Sequence, residues 1–348
     1  MRIAYDVTPL SHPRTGVGNY ILGALKGMAE AADGSHELVA FGPVSIRGRR
    51  LLDATLADLP VERRIATVPF GHAVRTAWSR LGRPPAERFL GDVDVLHFTD
   101  WMVPPGRPRV RATMIHDLGP LRYPERLHPR TVRMHSATAR AAIGCDVVFT
   151  NAEYTATDVV EQLGIPRERI RVAYPGVDAR YQPDGRRHEI GDQYDEFGRP
   201  YVFTTATEDW RKNRVVVEAA LKLVGDELTL LSLGQGGRGY VADDELPALY
   251  RGAAVFAYPS RFEGFGIPII EAMACGVPCV VSSHPSLDEA CGDTAVRADP
   301  ESPEAFAEGI TRALAEREEL VARGLVHARR FNWLETGRVH LRSYADAL

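Results

Sequence analysis

Short apolar runs alternate with stretches of helical spacing twice along this chain, and that alternation constrains its fold more than any other feature. Arg2–Val7, Glu37–Phe41, Val93–Phe98, Ala112–Ile115 and Val147–Thr150 read as strands, separated by segments with helical periodicity such as Pro129–Ile143. A second series opens at Tyr201–Ala206. It continues through a helix at Arg214–Val224 and strands at Leu228–Leu233, Ala254–Tyr258 and Pro278–Ser282. Alternation of this kind means parallel α/β sheets.

The chain has 348 residues, more than one core usually accommodates, so two domains are expected. Tyr181–Pro200 is polar and rich in Gly, Pro, Asp and Arg, with few positions able to bury apolar surface, and the hinge is placed there. The first domain is then 1–180 and the second begins at 181. Open sheets bind ligands beyond the carboxyl ends of their strands. The loops after Val7, Ile115, Ala206, Leu233 and Tyr258 are therefore expected to line an interdomain cleft.

A net charge of −4 argues against wholesale nucleic-acid binding, although Arg47, Arg49 and Arg50, and again Arg122, Arg126, Arg130 and Arg133, form local basic patches that are candidate docking sites. Cys145, Cys275, Cys279 and Cys291 show neither a CxxC pair nor zinc-site spacing, which suits reduced thiols in a cytoplasmic protein. The amino terminus enters a strand at once and no run approaches the ~20 residues that span a bilayer, so membrane contact is expected to be peripheral.

Arg261–Pro278 joins a strand to a short helix, with Pro268 suited to the helix start and Gly276 to its stop. Gly264 and Gly266 let the backbone approach a ligand, and a helix amino terminus attracts a phosphate. Glu263 and Glu271 flank that turn as carboxylates able to accept hydrogen bonds from sugar hydroxyls; the plainer reading makes Glu271 a complement to the helix dipole and Glu263 a solvated loop residue.

Trp210-Arg211-Lys212-Asn213 reads as the opening of a helix after a strand, where Arg211 and Lys212 are placed to stabilise a departing diphosphate or else are ordinary first-turn residues. His116 ends a strand and is a candidate to face a sugar or position an acceptor. Gly16 and Gly18 lie in Thr15–Tyr20, read as a loop before a helix at Ile21–Glu30. Asp92-Val93-Asp94 matches a metal-binding DxD pattern but precedes a strand and reads as strand-start polarity, so no metal site is assigned. Gly234-Gln235-Gly236-Gly237-Arg238-Gly239 fits GxGxxG, but the following helix starts several residues later, near Asp243-Asp244-Glu245.

The segment from Glu263 to Glu271 closely resembles the EX7E signature of retaining glycosyltransferases of family 4. Trp210–Asn213 resembles that family's EPRKN motif, with Asp209 and Trp210 where Glu-Pro is usual. The His116-Asp117-Leu118 region is similar to bacterial mannosyltransferase-like members, and Gly16 and Gly18 resemble the amino-terminal glycine loop. The resemblance runs from Met1 to Leu348 and implies a GT-B fold: two Rossmann-like domains with parallel sheets facing across a cleft. The second domain is 181–330 and looks shortened by one α/β unit; 331–348 forms a helix that packs back on the first domain.

The implied activity is retaining transfer of a hexose, with mannose from GDP-mannose preferred, to a saccharide or lipid-linked acceptor in cell-envelope polysaccharide or glycoconjugate synthesis. No metal or other cofactor is implied. Catalytic roles fall to His116, Arg211, Lys212 and Glu263. Donor contacts fall to Gly16, Gly18, Gly264, Phe265, Gly266, Ile267 and Glu271, the last on the ribose hydroxyls. Val74–Leu90, with Arg75, Trp78, Arg80, Arg83 and Arg88, is the candidate membrane-facing segment at the inner face, against the alternative of a solvated helix. Two other readings stay open: a sugar-nucleotide binder without turnover, and an NAD-linked oxidoreductase using Gly234–Gly239.

Overall fold

The computed structural model describes residues 1–99, 101–186, 200–233, 241–242 and 244–348. The Gly234–Gly239 motif and most of the proposed hinge lie outside them. The chain divides into two compact units, Met1–Gly176 with Trp333–Leu348, and Val177–Asn332.

The first unit runs β1 (Arg2–Asp6), α1 (Gly16–Ala32), β2 (Glu37–Val44), α2 (Ile46–Thr55), β3 (Glu62–Thr67), α3 (Gly71–Leu81), α4 (Glu87–Leu90), β4 (Val95–Phe98), β5 (Val110–Ile115), α5 (Gly119–Arg122), α6 (Pro129–Ala142), β6 (Val147–Thr150), α7 (Glu153–Leu163) and β7 (Ile170–Val172). Its seven strands are all parallel, in the order β3-β2-β1-β4-β5-β6-β7. The second unit runs β8 (Tyr201–Thr204), α8 (Arg214–Val224), β9 (Thr229–Ser232), α9 (Leu246–Gly252), β10 (Val255–Tyr258), α10 (Ile267–Ala274), β11 (Cys279–Ser282), α11 (Asp288–Cys291), β12 (Val296–Ala298), α12 (Pro303–Ala315) and α13 (Arg317–Ala328). Its five strands are parallel, in the order β12-β11-β10-β8-β9. The last helix, α14 (Trp333–Ala347), belongs to the first unit.

Central strands are buried on both faces, as helices on both sides of a parallel sheet require: β4, β6, β8, β10 and β11 have no exposed residue. The strands absent from the sequence reading, β3, β7 and β12, all lie at sheet edges. β3 reads Glu-Arg-Arg-Ile-Ala-Thr and is almost wholly exposed, whereas β7 and β12 have three residues each. Edge strands pair on one side only and bury too little to impose an apolar pattern.

α14 docks on α1 at glycines. A Cβ on Gly27 would lie 1.7 Å from the Trp333 carbonyl oxygen, and one on Gly337 would lie 2.0 Å from the Gly27 carbonyl carbon. Only glycine permits backbones this close. Beside that crossing, Tyr20, His97, His340 and Tyr344 are fully or almost fully buried and hydrogen-bonded: Tyr20 Oη to His340 Nε2 at 3.1 Å, His97 Nδ1 to Tyr344 Oη at 2.7 Å.

The candidate membrane segment is not one helix. α3 stops at Leu81, with Gly82 left-handed behind it, and α4 is a separate short turn. Arg75 does not point outward; it is 3% exposed and donates to the Pro43 carbonyl at 3.1 Å. Val74, Leu81 and Phe89 are exposed large apolar side chains of the segment, and Phe70 is exposed just before it.

Candidate active site

In the second sheet β8 and β10 pair directly, with β9 outside β8 and β11 and β12 outside β10. Chain connections diverge there, which is the switch point where open α/β sheets leave a crevice beyond the carboxyl ends. The segments leaving β8 and β10 carry the two sequence motifs, so topology joins residues about fifty positions apart.

Arg211 and Lys212 do not open a helix. They sit in a turn closed by Asp209, whose Oδ1 accepts from both backbone N–H groups at 3.1 Å, and α8 starts later behind Asn213. Asn213 is left-handed (φ 57°) and donates its side-chain amide to the carbonyls of Pro259 and Pro300, at 3.3 and 2.7 Å. Arg261 donates its backbone N–H to the Arg211 carbonyl at 2.8 Å and its guanidinium to the Trp210 carbonyl at 2.6 Å. These bonds lock the β8 turn to the β10 loop.

Glu263 is the shared partner. Arg211 Nη1 donates to its Oε2 at 2.7 Å, and Lys212 Nζ donates to its Oε1 at 2.6 Å and to Tyr258 Oη at 3.2 Å. Ser286 Oγ accepts the Glu263 backbone N–H at 3.2 Å and contacts His284 Nδ1 at 2.8 Å. Burial opposes ionisation of Glu263, but Arg211 and Lys212 outweigh it and bring the carboxyl down to about 2. Lys212 is raised although burial disfavours its charge, because Glu263 faces it. Arg211 and Lys212 thus converge on one carboxylate at the carboxyl ends of β8 and β10, a pairing of cations suited to an oxyanion.

Behind this trio the chain turns at Gly266, whose φ of 102° and lack of a Cβ are both needed: an added Cβ would stand 2.8 Å from Ile269 Cδ1. Phe265 is buried against the Phe331 ring, 5.3 Å between centroids, fixing the turn. α10 then begins at Ile267, and the N–H groups of Gly266 and Ile267 have no acceptor among the described residues. Gly264 completes the turn on the other side of Phe265.

Glu271 lies on α10 and is 8% exposed. Tyr250 Oη donates to its Oε2 at 3.2 Å, and Tyr181 adds a second hydrogen bond. Burial raises its carboxyl to about 7 against the pull of Tyr250 and Arg180. It is not a solvated complement to the helix dipole, and Glu263 is not a solvated loop residue.

In the first unit, Gly16 and Gly18 are not in a loop. Thr15 is the N-cap of α1, its Oγ1 accepting from the Gly18 N–H at 3.3 Å, and Gly16 is the first helical residue. Packing does not demand these glycines: a Cβ on Gly16 would meet nothing within 4 Å, and one on Gly18 makes only ordinary contacts. His116 follows β5, partly buried, with Tyr20 edge-on at 5.2 Å. Tyr20 Oη in turn donates to the Ala173 carbonyl at 2.9 Å.

The sequence reading missed Tyr258, Tyr250, Ser286 and Tyr20. Tyr258 carried a signal, as the last residue of a recognised strand. Ser286 carried none, because it reaches Glu263 from a separate turn after β11. Among the described residues no cluster of three or more His, Cys, Asp or Glu side chains is arranged to hold a metal ion, and no helix is long and apolar enough to cross a membrane.

Residues 14–181 match the model of Glycosyltransferase Family 4 and residues 236–324 that of Glycosyl transferases group 1. The chain is 28% identical to the O-antigen chain mannosyltransferase B of Escherichia coli, over 96% of each chain. It is 27% identical to a D-inositol 3-phosphate glycosyltransferase of Salinispora tropica, over 99% of this chain and 85% of that one. The fold matches Anabaena Alr3699/HepE, solved in complex with UDP and glucose, with a TM-score of 0.70 and 15% identity over 100% and 99% of the two chains. The two parallel α/β units, the Glu263–Glu271 signature and these matches together place the chain among the group 1, family 4 glycosyltransferases, enzymes of GT-B fold.

Proposed function

We propose that the chain transfers a hexose, mannose from GDP-mannose, with retention to a saccharide or lipid-linked acceptor in envelope polysaccharide or glycoconjugate synthesis. The observation that carries this reading is the trio of Arg211, Lys212 and Glu263, set beside the open N–H groups of Gly266 and Ile267. Arg211 and Lys212 bind the diphosphate and stabilise its departure, supplying the charge a divalent ion would otherwise supply. Glu263 and the N–H groups of Phe265, Gly266 and Ile267 orient the hexose, while Glu271 accepts from the ribose hydroxyls. His116 faces the sugar, and the Gly16–Gly18 turn leaves room for its phosphate. The similarity to an O-antigen mannosyltransferase supports mannose and a polysaccharide acceptor.

The reaction is assigned to the cytoplasm, with peripheral contact at the inner membrane face. Exposed Phe70, Leu81 and Phe89 beside Arg80, Arg83 and Arg88 support that contact, as do four free, buried thiols for the compartment.

Calorimetric titration with GDP, UDP, ADP and NAD tests the donor, and NMR of the product anomer tests retention. GDP binding that is lost in Glu271→Ala, with a rate insensitive to EDTA, is the expected result. Diphosphate binding without turnover on any acceptor would make the chain a binder, and an inverted anomer would overturn retention.

A further inference from the structure

A cavity of about 420 Å³ opens in the first unit between α3, the segment after β4 and α6. That volume lies within the range of small-ligand sites, ~300–1,000 Å³. Its wall carries Arg80, Arg130, Arg133 and His72, and none of its described lining residues is a carboxylate.

The three guanidinium groups form no ion pair among the described residues. Their neighbours in the same basic stretch do: Arg122 pairs with Asp158, and Arg126 with Glu125. Trp101, also on the wall, covers a fourth guanidinium. Arg75 Cζ lies 5.5 Å from that ring; its Nε is buried without a hydrogen-bond partner, and no described carboxylate is within ion-pairing distance. Burial lowers the Arg75 guanidinium from its ordinary range without discharging it, and Asp6 is the carboxylate that partly offsets this. His12 stands edge-on to Trp101 at 4.7 Å, held toward neutrality by burial and by Arg75.

Like charges converging on a concavity without counter-charge repel one another, a cost that an anionic ligand removes. Planar guanidinium groups match phosphate oxygens two at a time. We propose that this cavity binds a phosphate group carried by the acceptor, an inference that rests on the transferase reading. The phosphate belongs to a soluble sugar ester or to the headgroup of a lipid-linked acceptor, and in either case its neighbouring hydroxyls meet the polar wall at Thr76 and Thr131.

The test uses the full chain and two probes: hexose 6-phosphate against the parent hexose by calorimetry, and sedimentation with phosphatidylcholine vesicles with or without phosphatidic acid. Arg130→Ala/Arg133→Ala removes two exposed side chains of the wall. Arg50→Ala/Arg140→Ala removes the same charge from exposed positions of the same unit outside it. At least one phosphate probe is expected to bind, with a loss of tenfold or more in the first variant and little change in the control. Binding of the hexose ester indicates a soluble acceptor; selective sedimentation with phosphatidic acid indicates a lipid headgroup. Equal losses in both variants, or no binding of either probe, would overturn the proposal. GDP titration of the same variants reports the donor site separately. Retained GDP binding alongside a failed phosphate test leaves the transferase reading standing.

Discussion

Lys212 Nζ lies 2.6 Å from Glu263 Oε1, in a contact that joins the turn after β8 to the loop after β10 and is 22% and 10% exposed at its two ends. Removing a cation aimed at developing charge costs about 10²–10³ in kcat. Lys212→Ala and Arg211→Ala are each expected to fall in that range, with a smaller loss of donor affinity. Steady-state kinetics decide: a rise in KM at unchanged kcat would mean the cations bind ground and transition states alike.

The same pair has a pH signature. Glu263 is depressed from 4.5 to about 2, so the stability it contributes is present above 4.5 and is lost as pH falls through the interval down to about 2. Glu263→Gln leaves the half-buried Lys212 without its counter-charge, a loss below the ~3–5 kcal/mol of breaking a fully buried pair. Denaturant titrations are expected to show a constant deficit relative to wild type above pH 5 that shrinks in acid. A deficit that does not depend on pH would dissociate it from the carboxylate charge.

Glu271 has the opposite sign. Its carboxyl is raised from 4.5 to about 7, so the folded protein loses stability between those values as the unfolded chain ionises first. Glu271→Gln is therefore expected to gain in Tm relative to wild type on going from pH 5 to pH 8, while losing nucleotide affinity at both. Parallel melting curves across that range would refute the raised carboxyl.

Gly27 and Gly337 test the packing of α14 on α1. Alanine is a better helix former than glycine by about 1 kcal/mol, yet here its methyl would overlap backbone atoms of the partner helix. Overpacking costs typically 1–3 kcal/mol and more when backbone must shift. Gly27→Ala is expected to lower the unfolding free energy by about 2 kcal/mol or more in urea titrations.

Gly16 provides the contrast. Its position in the first turn of α1 tolerates a methyl, so Gly16→Ala is expected to leave stability unchanged or raise it by up to about 1 kcal/mol. If the turn admits the donor phosphate, donor affinity falls at least tenfold all the same. Unchanged affinity would remove Gly16 from the site.

The alternation of strands and helices, and the punctuation of Arg261–Pro278, were legible because they are local: burial on two faces writes apolar runs at Val147–Thr150 or Val255–Tyr258, and a helix start needs glycine and proline at fixed offsets. Edge strands such as Glu62–Thr67 left no trace, since solvent on one side relaxes the pattern. The Gly16 turn was misread because glycines usually mark loops, whereas Thr15 caps a helix there.

By itself the sequence determined two parallel α/β units and the residues that carry charge and flexibility at Arg211, Lys212, Glu263 and Gly266. Tertiary structure alone decided that Glu263 bridges both cations, that Tyr258 and Ser286 frame it, and that burial raises the Glu271 carboxyl while Arg211 and Lys212 lower that of Glu263. The reason is physical: a carboxyl's charge state depends on its burial and on partners brought from distant strands, and only the strand order β9-β8-β10-β11 sets which partners arrive.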